Sequence, residues 1–336
     1  MRTVNWSQLR YEKDHHGVRY GVERTQIGER LGAQRLRCEA WIVPPGRADA
    51  PLRFHLVAEH ALLVLGGEPS LRLGAVERPL AGGDVAAILP RAAWPWQILN
   101  RSDRPAHLLV AATREGRDVI GFPETGKRVY RVRGAPGEPP VQDVILKDDR
   151  IVDRWEGEPV DEPLPPASEP PSEPDPRVTN LEEVPWEAFG RTPFRGERRR
   201  LAKRVGAERL GYSLYRLHPG QRPFPFHFHH VNEELFVVRT GYGQLRVKEG
   251  TREIGPGDIV ACPPGPQGAH GFLNDRDAPL VYFALSTMIE PEVLEYPDSD
   301  KSHVLVGAPP GGDPRHRSVD LVVRRIDAVE REEGER

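Results

Sequence analysis

The feature that most constrains this chain is an internal repeat. Shifting the sequence by 174 residues aligns its two halves without a gap from about Leu31 to Lys127. Matched pairs run through Gly32/Gly206, Pro45/Pro219, Gly46/Gly220, His55/His229, Glu59/Glu233 and Gly67/Gly241. They continue through Arg72/Arg246, Asp84/Asp258, Asn100/Asn274, Pro123/Pro297 and Lys127/Lys301. Chance does not hold one register over so many turn residues. With a shift of 177 the register resumes at Arg154, Glu156, Gly157 and Glu158 against Arg331, Glu333, Gly334 and Glu335. The chain is therefore expected to be two copies of one domain, residues 1–158 and 178–336. The segment between them, residues 159–177, is dense in Pro, Glu and Ser and reads as an extended linker with no core of its own.

Each copy reads as short strands. Apolar runs such as Ala61–Leu65, Val85–Leu89, Leu108–Ala112, Leu235–Val238 and Leu280–Leu285 are bounded mostly by Gly, Pro, Asn or Asp. The 35 prolines and 33 glycines leave little room for long helices. No apolar period of 3.6 persists, and helix is expected only outside the cores, for example around Leu181–Phe189. Many short strands with frequent turns predict an all-β antiparallel sandwich or barrel.

Composition closes off several functions. With 47 basic and 50 acidic residues the net charge is −3, so no general basic face for nucleic acid is expected. Two cysteines, Cys38 and Cys262, exclude a disulfide framework and a four-cysteine zinc site. Both are expected to be buried packing. Nothing approaches 18 consecutive apolar residues, and the N-terminus lacks the apolar core of a signal peptide. The expectation is a cytoplasmic protein with no membrane partner.

One cluster carries chemistry. His227, His229 and His230 fall within four residues and are followed by Glu233 and Glu234. On a strand, His227 and His229 project to one face, with a carboxylate just past a turn. His270, after the Gly/Pro-rich stretch Pro263–Gly268, is the candidate fourth donor from a separate strand. Neutral imidazoles with one carboxylate suit Mn, Fe, Ni, Co, Cu or Zn rather than Ca or Mg.

These residues resemble the cupin superfamily. Its first motif is matched by Gly220, His227-Phe228-His229, Glu234 and Gly241. Its second is matched by Gly257, Pro263, Gly265, His270 and Asn274, with a longer gap between Gly265 and His270 than is usual. The stretches Pro263–His270 and Glu295–Lys301 resemble a group of bacterial cupins labelled mannose-6-phosphate-isomerase-like. The resemblance implies two tandem double-stranded β-helix (jelly-roll) barrels with short peripheral helices, a bicupin. It implies one divalent transition metal per chain, held by His227, His229, Glu234 and His270, with Glu233 as the alternative to Glu234.

The first copy departs from that pattern. Arg53 stands where His227 should be and Trp96 where His270 should be; His55 and His60 (or Glu59) remain. It is expected to keep the barrel and lose the metal, acting as a structural half. The rival is a metal-free pocket in which Arg53 pairs with a ligand carboxylate. Arg72/Arg246, Asn100/Asn274 and Asp84/Asp258 recur in both copies and are expected to be structural. Trp94 and Trp96 could line a pocket, but filling the space left by a lost histidine is the simpler expectation. The run Arg195–Arg204 reads as a solvated face that could attract an anionic substrate.

Four ligands on a six-coordinate metal leave two positions, where a substrate chelates through adjacent oxygens. In the cupin family such sites support dioxygenases, isomerases, decarboxylases and lyases. The expected function is a metal-dependent enzyme acting on a small oxygenated metabolite. The alternative is a sugar or small-metabolite sensor, and a storage bicupin is less favoured. No catalytic base can be named. The two barrels are expected to pair within one chain or to assemble into a homo-oligomer.

Overall fold

The computed structural model describes residues 2–132, 143–168 and 175–324. It is all-β: strands curl into two jelly-roll barrels. Among the described residues the α-helices are two single turns, Ile27–Arg30 and Leu201–Arg204, which occupy equivalent positions in the repeat. No helix among them is long and apolar enough to cross a membrane. The residues Arg331, Glu333, Gly334 and Glu335, which carry the second register of the repeat, lie outside the described residues.

The apolar runs become strands because both of their faces are buried. In the strand Glu234–Thr240, Leu235 and Val237 join the cluster between the barrels, while Phe236 and Val238 join the second barrel's interior. The strand His60–Gly66 does the same, with Ala61 and Leu63 facing the other barrel and Leu62 and Val64 facing inward. The strand period of two thus sorts one continuous hydrophobic run into two cores. The cluster between the barrels draws on both halves, pairing for example Ile27, Leu36, Leu63 and Leu109 with Leu201, Leu210, Leu235 and Phe283. Cys38 lies in that cluster and Cys262 in the second barrel's interior, and neither is in a disulfide.

The halves also exchange edge strands. Arg2–Asn5 pairs antiparallel with Asp258–Cys262 of the second barrel. Val178–Asn180 pairs with Asp84–Ile88 of the first. Both exchanges end alike. Asn5 Nδ2 donates to Asp258 Oδ1 and Asn180 Nδ2 to Asp84 Oδ1, each at 2.8 Å. Asp84 and Asp258 also accept from the turn amides of Ala81 and Gly255, both at 2.8 Å, the structural role expected for that pair. A cut at residue 158 or 178 would leave each strand on the wrong side of the division.

Two glutamates complete the reciprocity. Glu233 accepts from the backbone amides of Gln34 and Arg35 at 2.7 Å and Leu36 at 2.8 Å. Glu59, its repeat partner, accepts from Glu208, Arg209 and Leu210 at 3.0, 2.9 and 3.2 Å. Each carboxylate therefore satisfies a bare turn of the other barrel, where charge-assisted hydrogen bonds are the strong kind. Arg72 and Arg246 repeat a second motif, pairing with Glu124 at 2.9 Å and with Asp298 at 2.6 Å. Asn100 and Asn274, both fully buried, tie loop carbonyls in the same way in each barrel.

Two sequence expectations need correction. The segment after Glu158 is not a bare tether along its described length. Val160 and Leu164 pack against Tyr20, Ala48 and Leu99, and Arg19 pairs with Glu162 at 3.0 Å. Glu158 itself is buried against Lys127 Nζ at 2.6 Å. Residues 169–174, the most Pro/Glu-dense part, lie outside the described residues. Leu181–Phe189 is not a helix either: Leu181–Glu183 is one 3₁₀ turn and Glu187–Arg191 a strand. Pro185 forbids helical continuation, because it lacks an N–H and pushes Val184 to an extended backbone.

Candidate metal centre

Four donors expected from the sequence meet inside the second barrel. His227 and His270 exchange two backbone hydrogen bonds, 3.1 and 2.9 Å, which set their rings side by side with centroids 4.6 Å apart. His229 ends the short strand Phe228–His229, which pairs with Glu292–Tyr296. Glu234 begins its strand on the inward face, in register with Phe236 and Val238. Suitable donor atoms of His227, His229 and Glu234 lie within 4.8 Å of one another. Glu234 Oε2 is 3.3 Å from His229 Nε2 and 3.1 Å from His270 Nε2.

The outer groups fix which nitrogen faces the centre. His227 Nδ1 donates to the Pro225 carbonyl at 2.8 Å and His270 Nδ1 to the Gly268 carbonyl at 2.9 Å. A carbonyl can only accept, so Nε2 of each ring is left to face inward. His229 Nδ1 is held by Glu292 at 3.1 Å, the carboxylate–histidine arrangement that orients metal-binding imidazoles. Glu292 is wholly buried and also accepts from the amides of His230, Val231, Asn232 and Val293.

The electrostatics favour added positive charge. Burial works against a protonated His229, but Glu234 and Glu292 outweigh it and push its pKa up to about 9. Burial also opposes protonation of His270, and Cys262 and Glu234 beside it raise its pKa well above the usual value. Glu234 is held well below the carboxylate range: burial raises it, and His229 and His270 more than reverse that. His227 is driven down to about 3 by burial and then by the neighbouring His270 and His229. The donor set fits a transition-metal dication. Glu234 Oε2 is buried with no partner beyond the His229 and His270 rings, three Nε2 atoms turn inward, and a metal dication would take the place of the protons that His229 and His270 carry.

Glu233, the alternative ligand, lies on the opposite face of the strand and is engaged with the other barrel. His230 also points away and is exposed, 3.4 Å from Glu295. A cavity of about 1050 Å³ adjoins the four donors. Phe236, Phe272 and Tyr282 line it, whereas Phe228 packs beside His230 instead. The arginine run is not a simple solvated face. Arg198 and Arg200 line the cavity, and Arg199 is buried, pairing with Glu182 at 2.6 Å and stacking on Trp186. No carboxylate pairs with Arg198 among the described residues, and its buried Nε has no hydrogen-bond partner.

Glu292 and Arg198 were not singled out by sequence reasoning. Glu292 had a detectable mark, since Asp118 stands at the same place in the repeat and holds His55 Nδ1 at 2.6 Å. Arg198 likewise has Arg24 as its partner, and Arg24 is neutralised by Asp14 at 2.6 Å.

In the first barrel the same four positions hold Arg53, His55, His60 and Trp96. Arg53 and Trp96 form the backbone bridge that His227 and His270 form in the second barrel. The Arg53 guanidinium lies 3.7 Å from the Trp96 ring centroid and pairs with buried Asp49 at 2.6 Å. Arg53 is thus already neutralised, which removes it as the counter-ion of a ligand carboxylate. Trp96 fills the place of the missing histidine. Trp94 instead packs at 4.4 Å from Arg177.

The comparisons agree with this architecture. Residues 213–286 match the family model described as Cupin domain. A putative glyoxylate-induced protein from Pseudomonas aeruginosa is similar in structure with a TM-score of 0.54 and 15% identity, covering 85% of this chain and 88% of that one. An oxalate decarboxylase from Lactobacillus farciminis, in complex with formate, gives 0.51 and 14%, covering 84% and 85%. The oxalate decarboxylase of Bacillus subtilis, described with Mn(II) centres, gives 0.50 and 15%, covering 84% and 76%. At these identities the likeness is one of fold. Among curated proteins, none matches the chain by sequence. Residues 213–286 are thus matched as a cupin domain, and the two jelly-roll barrels share the fold of these solved structures.

Proposed function

We propose that this bicupin is a metal-dependent enzyme acting on a small oxygenated carboxylate in the second barrel. His227, His229, Glu234 and His270 hold one divalent transition metal, and Arg198 receives the substrate's carboxylate. The observation that carries this reading is Glu234 Oε2: buried, 3.1–3.3 Å from two inward imidazole nitrogens and with no other partner, beside a cavity of about 1050 Å³. Bound there, the metal supplies Lewis-acid polarisation of a coordinated oxygen. The chain's own residues do the rest. Glu292 and the Pro225 and Gly268 carbonyls hold the three rings in one tautomer. Phe236, Phe272 and Tyr282 close the inner wall against water. Arg198, with no carboxylate partner, orients an anionic substrate by a charge-assisted fork. The reaction class among dioxygenase, isomerase, decarboxylase and lyase is a matter for assay, because a fold hosts many chemistries.

The test is a turnover screen of hydroxy acids, keto acids and sugar phosphates with metal-replete protein. Arg198→Gln is expected to raise KM for the active carboxylate by about 10-fold or more without changing metal content. Saturable binding with no turnover of any compound would instead make the protein a metabolite sensor.

A further inference from the structure

The first barrel has lost metal ligands yet has not closed. It holds a cavity of about 510 Å³ in which Arg53, His55, His60 and Trp96 occupy the places of the second barrel's donors. A barrel kept only as a structural half would be expected to fill that space with apolar side chains, since interiors pack to high density. This one lines it with six arginines against five carboxylates among its apolar side chains.

Arginines line the cavity, and most of them are spoken for. Arg24 pairs with Asp14, Arg37 with Glu39, Arg53 with Asp49 and Arg131 with Asp143, at 2.6–2.7 Å. Arg154 differs. Among the described residues no carboxylate pairs with its guanidinium, and its buried Nε has no hydrogen-bond partner. Burial and then the neighbouring Arg53 press against its charge, Asp14 partly offsets them, and Arg24 and Arg131 add to the pressure. His60 is a second unmet group. It is only 5% exposed, and its Nδ1 has no hydrogen-bond partner. Burial, His55 and the nearby arginines keep it neutral. Unmet buried polar groups are rare in native proteins and call for an explanation. Three of them, Arg154 Nε, His60 Nδ1 and Trp96 Nε1, line this one cavity and share a simple explanation, a missing anion.

We propose that the cavity of the first barrel is a metal-free receptor for a small oxyanion, a carboxylate or phosphate group, with Arg154 as its counter-ion and His60 Nδ1 as a hydrogen-bonding partner. Arg53, locked between Asp49 and Trp96, forms the floor. The site is separate from the centre of the second barrel and does not depend on what that centre does.

The test is calorimetric titration of full-length protein with inorganic phosphate and with malonate, before and after metal removal. One saturable equivalent is expected with at least one of the two anions, unaffected by metal removal and by His270→Ala. Phosphate alone would point to a phosphate ester and malonate alone to a carboxylate. Arg154→Gln is expected to weaken binding by about 10-fold or more, the loss of one charge-assisted contact. Its thermal midpoint without ligand should fall only slightly, because the native guanidinium has no direct ion pair to lose, only its packing over Trp155 and the attraction of Asp14. His60→Gln gives an independent reading should Arg154→Gln fold poorly, and it too is expected to weaken binding. Absence of saturation with both anions would overturn the proposal. So would binding that survives both substitutions, or binding that disappears with the metal.

Discussion

Glu233→Ala is expected to destabilise the fold while leaving the metal in place, and Glu234→Ala to do the opposite. The two residues are adjacent, equally acidic and on opposite faces of one strand. Glu233 serves three backbone amides of the other barrel, at 2.7–2.8 Å. Its removal leaves those amides without their acceptor where the barrels join. Losing such charge-assisted bonds, partly compensated by water at the exposed edge, should cost about 3 kcal/mol. Glu234 has no partner through Oε2 other than the imidazoles it faces. Its removal should lower metal affinity by more than the roughly 10- to 100-fold typical of losing an outer-shell partner. Urea unfolding and metal titration of both variants check the pair. Similar effects of the two substitutions on metal affinity would refute this division of labour.

That division was partly written in the repeat. Glu59, in a half that lacks the metal set, is the counterpart of Glu233, and an acid kept there points to structure. Its partner amides could not be named, because they lie about 150 residues away in sequence (Glu59 to Arg209) and belong to a turn of the other barrel. The strand exchange was illegible for the same reason. Arg2–Asn5 and Val178–Asn180 are too short to show a period, and their pairings are set by tertiary contact alone. The barrels themselves were legible because duplicated turn residues mark many of the strand ends. At Gly67 and Gly241 the backbone has φ of +82° and +80° and a Cβ would strike the neighbouring loop, at Pro105–Ala106 and at Pro279, so only glycine recurs. The four donors were legible because their spacing is local within two short segments. Arg198 was hidden inside a run of arginines whose members turn out to do different things.

The second large effect concerns Lys127. Its ammonium is fully buried, 2.6 Å from Glu158, and donates to the carbonyls of Arg154 and Glu156. Lys127→Met leaves the Glu158 carboxylate without its cation and two carbonyls without a donor. Breaking a buried pair from one side costs about 3–5 kcal/mol. The double variant Lys127→Met/Glu158→Leu removes both charges and should recover much of that loss. Because the same ammonium ties down the Arg154 backbone, Lys127→Met should also loosen the wall of the first cavity. Denaturant midpoints of the wild type and the two variants provide the check. A loss under about 1 kcal/mol for Lys127→Met would place the pair among ordinary surface bridges.

The central claim is that metal chemistry survives in one barrel only. It is tested most directly by metal analysis of protein purified after metal-replete expression, with wild type beside His270→Ala and His60→Ala. The account predicts one equivalent per chain in the wild type, one in His60→Ala and none in His270→Ala. Two equivalents in the wild type, none at all, or one that persists in His270→Ala would contradict it.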